Sequence, residues 1–301
     1  MKTRSVFGFI GFGLIGGSVA RALRKIYPDS RILAYNYYET KPHPRLEEAV
    51  KDGILSNITT SLEDFHHCDV VFLCAPVIKN VAYLQKIAPF VKDDCIITDV
   101  GSVKTNIYKE IQKLGLDRQF VGGHPMTGSE KIGYNYSDEN ILIDKYYLLT
   151  PTPSTNPDYT SWMEEFVKAA GSLCMILDPV THDQITSGIS HVPHVIAACL
   201  VNTVAARDHD GNYAKLAAGG FHSVTRISSS SPEMWENICV TNKTEITRFL
   251  DEYIESLNNA RQMIESADSE SLTNLFSSAK HYRDNIPSGL SDIKPHHPEQ
   301  Q

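Results

Sequence analysis

The hexapeptide Gly11-Phe12-Gly13-Leu14-Ile15-Gly16 constrains this chain more than any other feature because of what flanks it. Val6 to Ile10 before it is an apolar run of strand length, and after it apolar residues recur at helical spacing through Ala20 and Leu23. A strand that feeds a helix through such a turn opens a parallel βαβ unit. The three glycines then have separate tasks: Gly11 permits the tight turn, Gly13 lets the backbone approach a pyrophosphate, and Gly16 allows close helix packing. The helix N-terminus adds oriented amides and a partial positive charge. The context predicts dinucleotide binding across Gly11, Phe12, Gly13, Leu14, Ile15 and Gly16; the competing reading is a glycine-rich turn with no ligand.

The alternation continues beyond this unit. Further strands are expected at Arg31 to Tyr35, Val70 to Cys74, Cys95 to Val100, Gln119 to Val121, Tyr146 to Leu149 and Leu173 to Leu177. Helices are expected at about Leu14 to Ile26, Arg45 to Asp52, Val81 to Val91, Lys104 to Leu114 and Asp158 to Ala170. From Pro179 the pattern becomes long and helical. Asp183 to about Arg207 reads as one mostly apolar helix, Ser231-Pro232-Glu233 is a helix start, and Asn242 to Ala267 carries helical spacing. Helices apolar on more than one face bury those faces against other helices, including those of a second subunit. The fold class expected is therefore α/β, an N-terminal Rossmann-type, mostly parallel sheet (residues 1–178), followed by an all-helical dimerisation domain (179–285). A tail (286–301) has the composition of loop or disorder.

Charge and cysteines narrow the partners. With 28 basic and 36 acidic residues the formal charge is -8, which repels nucleic acid and anionic membranes. Cys68, Cys74, Cys95, Cys174, Cys199 and Cys239 lie scattered in apolar stretches, a pattern of buried thiols in a reducing compartment. The first residues show no apolar signal segment and no later run is read as a membrane span, so the expectation is a cytoplasmic protein acting on a small molecule.

The second strand ends in Ala34-Tyr35-Asn36-Tyr37-Tyr38, with Asn36 where a carboxylate would accept hydrogen bonds from the adenosine ribose. Asn36 can bond a ribose hydroxyl, so NAD is expected. NADP, which would want a cation here, stays open because Lys41 and Arg45 lie close in sequence.

Two polar residues mark the carboxyl ends of neighbouring strands: Ser102 in Gly101-Ser102-Val103-Lys104, and His124 in the rigid frame Gly122-Gly123-His124-Pro125. Open α/β sheets bind ligands at such ends. Singly, Ser102 reads equally as a helix cap and His124 as a structural histidine. Farther on come Ser190-His191-Val192-Pro193-His194, Gly219-Gly220-Phe221 with Thr225-Arg226, and Pro232-Glu233-Met234-Trp235. No metal site is expected: Pro193 separates His191 from His194 and no third ligand sits at a fixed offset.

In this order, over roughly residues 5 to 265, these motifs resemble the prephenate dehydrogenase family, which includes arogenate dehydrogenases. The resemblance implies NAD(P)-dependent oxidative decarboxylation of prephenate to 4-hydroxyphenylpyruvate in tyrosine synthesis, by a homodimer. It implies that His124 bonds the ring hydroxyl, Ser102 orients His124, Arg226 holds the ring carboxylate, His191 and His194 line the pocket, and Glu130 and Trp235 belong to its surroundings. Where the family often carries a basic residue and then Asp after Gly-Gly-Phe, this chain has His222-Ser223.

The residue types suit that chemistry. A carbonyl forms where the hydroxyl was, so a proton must be withdrawn, and positioned base catalysis typically contributes ~10²–10⁴-fold. A planar guanidinium grips a carboxylate through two parallel bonds. Arogenate, with an ammonium in place of the keto group, is the alternative substrate. A β-hydroxyacid dehydrogenase lacks support because residues 183 to 215 hold only Lys215, and a non-catalytic dinucleotide sensor would not need Ser102, His124 and Arg226 together.

Overall fold

The computed structural model describes residues 4–38, 41–128 and 131–287. Strands β1 (Val6–Ile10), β2 (Arg31–Tyr35), β3 (Asn57–Thr59), β4 (Val70–Leu73) and β5 (Ile96–Asp99) form a parallel sheet in the order β3-β2-β1-β4-β5. Strands β6 (Val121–Pro125), β7 (Tyr146–Pro151) and β8 (Leu173–Ile176) form a second sheet, antiparallel between β6 and β7 and parallel between β7 and β8. A single parallel bridge, Ile97 to Phe120, sets β6 beside β5. The switch from β1 to β4 follows two crossovers on the other side, which leaves a crevice at the carboxyl ends of β1 and β4.

Helices α1 (Leu14–Ile26), α2 (Pro44–Lys51), α3 (Val77–Ile87), α4 (Thr105–Leu114) and α5 (Pro157–Ala169) connect these strands. All four residues of β4 are buried, as expected of a strand covered on both faces. On one face Phe7, Phe9, Phe72, Trp162 and Phe166 pack with α1 and α5; on the other Ile10, Leu33, Val71 and Leu73 pack with Leu84, Ile87 and Ile107 of α3 and α4. Phe9 and Phe72 stack at 4.9 Å. Each such buried side chain contributes ~1.5–3 kcal/mol.

The first helix of this part starts at Pro179, ahead of the long helix read from Asp183. Asp178 caps α6 (Pro179–Thr186) by accepting from the amides of Val180 and Thr181, with Pro179 in the first turn. The helix does not run evenly on: Ser187–His191 is a π-turn in which the Val192 amide bonds Ser187 O, five residues back, before α7 (Val192–Ala205) resumes. Pro193, lacking an amide hydrogen, removes the next regular bond and favours this local rewinding. The whole run Pro179–Ala205 is, contrary to expectation, long and apolar enough by length and composition to cross a membrane. Its first half, however, carries the buried polar residues His182, Asp183 and His191, which bond to the rest of the chain.

There follow α8 (Asn212–Leu216), α9 (Gly219–Thr225), α10 (Pro232–Thr241), α11 (Lys243–Glu265) and α12 (Ser269–Asp284). By contacts the chain divides into one unit through Ile246 and another from Thr247 onward, so the helices through α10 belong with the sheet. The reason lies in α6, whose Asp183 caps α4.

Candidate active site

At the β1–α1 turn Gly11 has φ +89°, and a Cβ there would meet the backbone of Cys74 and Ala75 at 2.5 Å. At Gly16 a Cβ would meet Gly11 O at 2.8 Å, whereas at Gly13 it would meet nothing within 4 Å. Two glycines are therefore dictated by the protein's own packing and the third faces open space, where a pyrophosphate can approach the α1 amides. Phe12 stacks on Tyr134 at 5.4 Å, and Leu14 and Ile15 open α1 partly exposed. These residues fit a dinucleotide.

Asn36 does not fill the role expected of it. It is 2% exposed; its amide donates to Tyr38 O (2.8 Å) and Lys41 O (3.3 Å), and its oxygen accepts from the His43 amide (3.1 Å). The side chain turns inward to brace its own loop rather than outward to a ribose, because the loop after β2 leaves three backbone groups in need of partners.

His124 stands on β6, and the peptide before it is clamped. Asp99 accepts from the Gly123 amide (3.1 Å) and from Gly101 N (3.0 Å), and Lys104 Nζ donates to Gly123 O (2.6 Å) while also pairing with Asp99. Lys104 is 1% exposed, and burial pulls its ammonium below the usual lysine range against the opposing pull of Asp99. The His124 ring bonds through Nδ1 to His182 Nε2 (2.9 Å), and His182 Nδ1 bonds to Asp183 Oδ1 (2.8 Å). Asp183 also accepts from the amides of Lys104 (2.8 Å) and Thr105 (2.9 Å) and from the Thr105 hydroxyl (2.6 Å). Burial first, then the charges of His182, Lys104 and His191, push the His124 imidazolium well below the ordinary histidine range, so the ring is neutral at pH 7.

The second histidine pair lies on the same helical run. His191 is buried; Asn242 donates one amide hydrogen to Asp183 O (2.9 Å) and another to His191 Nδ1 (3.0 Å), which leaves the His191 hydrogen on Nε2. Burial lowers its pKa to about 4. His194 Nδ1 bonds Ser190 O (2.8 Å), and its ring stacks on Trp235 at 3.6 Å. Trp235 in turn packs on Val77, Val103 and Ile238. Arg226 follows α9; burial first, and then the Arg226 charge, hold the His194 pKa below its usual range. His124, His191, His194 and Trp235 thus belong to one cluster, joined through His182, Asp183 and Asn242.

Ser102 lies in the β5–α4 turn, partly exposed, and is not the cap of α4: that position is Lys104, and the orphan amides of the helix go to Asp183. The partner at His124 Nδ1 is His182. Glu130 lies outside the described residues. His182, Asp183 and Asn242 were not singled out by motif; the adjacent His-Asp pair just inside a capped helix was the available signal. Among the described residues no group of three or more His, Cys, Asp or Glu side chains is arranged to hold a metal.

A parallel sheet with a glycine-rich β1–α1 turn, and a neutral histidine at the next strand ends, defines a dinucleotide-dependent oxidoreductase. Comparison with known proteins gives the class a family. The family model for the prephenate dehydrogenase nucleotide-binding domain matches residues 19–175, and that for the prephenate dehydrogenase dimerization domain matches residues 178–278. The chain is 35% identical to prephenate dehydrogenase of Bacillus subtilis over 92% of its own length and 75% of that protein's. The crystal structure of prephenate dehydrogenase from Aquifex aeolicus in complex with hydroxyphenyl propionate and NAD+ superposes with a TM-score of 0.88 at 30% identity, covering 95% of this chain and 99% of that one. Synechocystis arogenate dehydrogenase superposes with a TM-score of 0.81 at 27% identity, covering 93% and 99%. The chain belongs to the prephenate dehydrogenase family.

Proposed function

We propose that this enzyme carries out the NAD-dependent oxidative decarboxylation of prephenate to 4-hydroxyphenylpyruvate, the step toward tyrosine, with His124 as the base. The observation that carries the reading is an imidazole held at the end of β6 by the Asp99 and Lys104 clamp on the peptide before it and by its own bond to His182. Gly11, Phe12, Gly13, Leu14, Ile15 and Gly16 hold the cofactor, which when bound and oxidised supplies the hydride acceptor. Asn36 leaves the ribose contact to other groups.

His124 withdraws the ring hydroxyl proton as the carbon beneath it is oxidised. Ser102, in the partly exposed β5–α4 turn at the neighbouring strand end, orients His124. Arg226 holds the ring carboxylate, His191 offers an Nε2 hydrogen to an acceptor on the substrate, and His194 on Trp235 forms a pocket wall. A homodimer through residues 179–285, in the cytoplasm, is supported by the match to a dimerization domain and by six free thiols.

The test is NAD reduction with prephenate and with arogenate. Prephenate should be turned over faster, and His124→Asn should lower kcat by ~10²–10⁴-fold while leaving cofactor titrations unchanged. A clear preference for arogenate would transfer the assignment to the amino-bearing substrate, and an unimpaired His124→Asn enzyme would remove the base.

A further inference from the structure

We propose that His182 is a positioning residue for His124: backed by Asp183, it holds the proton of His124 on Nδ1 and accepts that proton when Nε2 takes one from the substrate. This rests on the reading of His124 as base.

The geometry fixes the direction of every bond in the series. Asp183 is a carboxylate, so its bond with His182 Nδ1 (2.8 Å) is donated by the imidazole. His182 is fully buried, and burial, opposed by Asp183, keeps its ring neutral, which leaves Nε2 with a lone pair. The 2.9 Å contact with His124 can then only be donated by His124 Nδ1–H. A neutral His124 with its hydrogen on Nδ1 has a bare Nε2, the form a general base needs. The carboxylate thus dictates, two rings away, which nitrogen meets the substrate. Its own place is set by the Lys104 and Thr105 amides and the Thr105 hydroxyl, so the series starts from a fixed end.

The same series moves charge. As the C–H pair leaves the substrate carbon, the hydroxyl proton passes to His124 Nε2, the O–H electron pair forms the second C–O bond, and the Nδ1 proton passes to His182 Nε2. The positive charge then rests on His182, whose Nδ1 is held by Asp183, while Lys104 acts against it on either ring. Departure of carbon dioxide returns an electron pair through the ring to the oxygen, and both protons run back to yield the phenol. His182 has no exposed surface, so the proton is stored rather than lost to water.

Nitrogen-15 NMR of the histidine-labelled protein reads the tautomer directly and without substrate. His124 should show a protonated Nδ1 and a bare Nε2. His182→Gln, whose amide oxygen can accept from Nδ1–H but cannot take the proton, should keep this tautomer. It should lose at least ~10-fold in kcat, with both KM values within about twofold and the acid limb of the kcat profile displaced, because Lys104, His191, Asp99 and Asp183 then act on one ring instead of two. Asp183→Asn should reverse the tautomer and cost ~10²–10⁴-fold. A wild-type His124 protonated on Nε2, or a folded His182→Gln enzyme with unchanged kcat and pH profile, would overturn the proposal. Should the variants fail to bind cofactor, the wild-type spectrum alone decides. If His124→Asn retains turnover while the spectrum is as expected, the base assignment fails and the hydrogen-bond series stands.

Discussion

Phe72 and Phe276 are the same residue in opposite circumstances: the first, in the middle of β4, has no exposed surface, and the second, on α12, is 70% exposed. The contrast extends to their surroundings. Every residue of β4 is buried, α11 buries only Ile246, and α12 buries none. The sheet has completed its own core from both faces, whereas α11 and α12 present Leu257, Ile264, Phe276 and Tyr282 to their surroundings. An apolar face of this kind on a helix signals packing against something beyond the single chain. The catalytic apparatus is built accordingly: its polar atoms are tied to the closed half, through Asp99, Lys104 and Asp183, before α11 begins.

The largest expected effect lies in the closed half. Phe72→Ala removes a ring stacked on Phe9 and in contact with Phe166, and should lower unfolding stability by ~3–5 kcal/mol regardless of protein concentration. Denaturant titration at two concentrations measures both properties. A loss that shrank as protein concentration rose would show that the sheet, too, depends on a partner.

A smaller effect should come from pH. Burial lowers His191 to about 4, against an ordinary value of 6.5. The unfolded chain therefore binds a proton between those values that the folded chain does not, and stability rises with pH across that window and is level above 6.5. From pH 6.5 down toward 4 this one group should cost on the order of 2–3 kcal/mol, with the buried His124 and His182 adding in the same direction. His191→Gln should flatten the slope by up to one proton. An unchanged slope would mean that His191 is protonated in the folded protein, and the Asn242 bond to its Nδ1 would have to be reassigned.

How legible each half was in the sequence follows from the same contrast. β1 and β2 fall at the residues expected because buried parallel strands read as unbroken apolar runs closed by a turn. β3, three residues at the edge with the sequence Asn-Ile-Thr, carries no such run and was not foreseen. His124 was legible because glycine and proline fix the backbone around it. Ser102 and Asn36 were placed by motif position, but a side chain's partner depends on which groups the fold brings near: Asp183 arrived from 79 positions away to take the α4 amides, and three loop groups claimed Asn36. His182 escaped notice for the complementary reason. A histidine inside a helical pattern looks like any other helical residue until β6 is laid beside it.

The smallest intrachain effect should come from Phe276→Ala. With most of its ring exposed, the side chain has little of the chain's own structure to lose, so monomer stability should shift by no more than ~0.5 kcal/mol. If a second copy covers α12, the cost appears elsewhere: the variant should dissociate at higher protein concentration than the parent, and its unfolding midpoint should fall as the protein is diluted while the parent's holds. Sedimentation velocity over a dilution series reads the first, and thermal unfolding at the same concentrations the second. Phe72→Ala provides the control, since its loss is the same at every dilution. Equal dissociation of parent and variant would mean that the exposed ring lies outside the interface, and would leave Leu257 and Ile264 on α11 as the next positions to truncate.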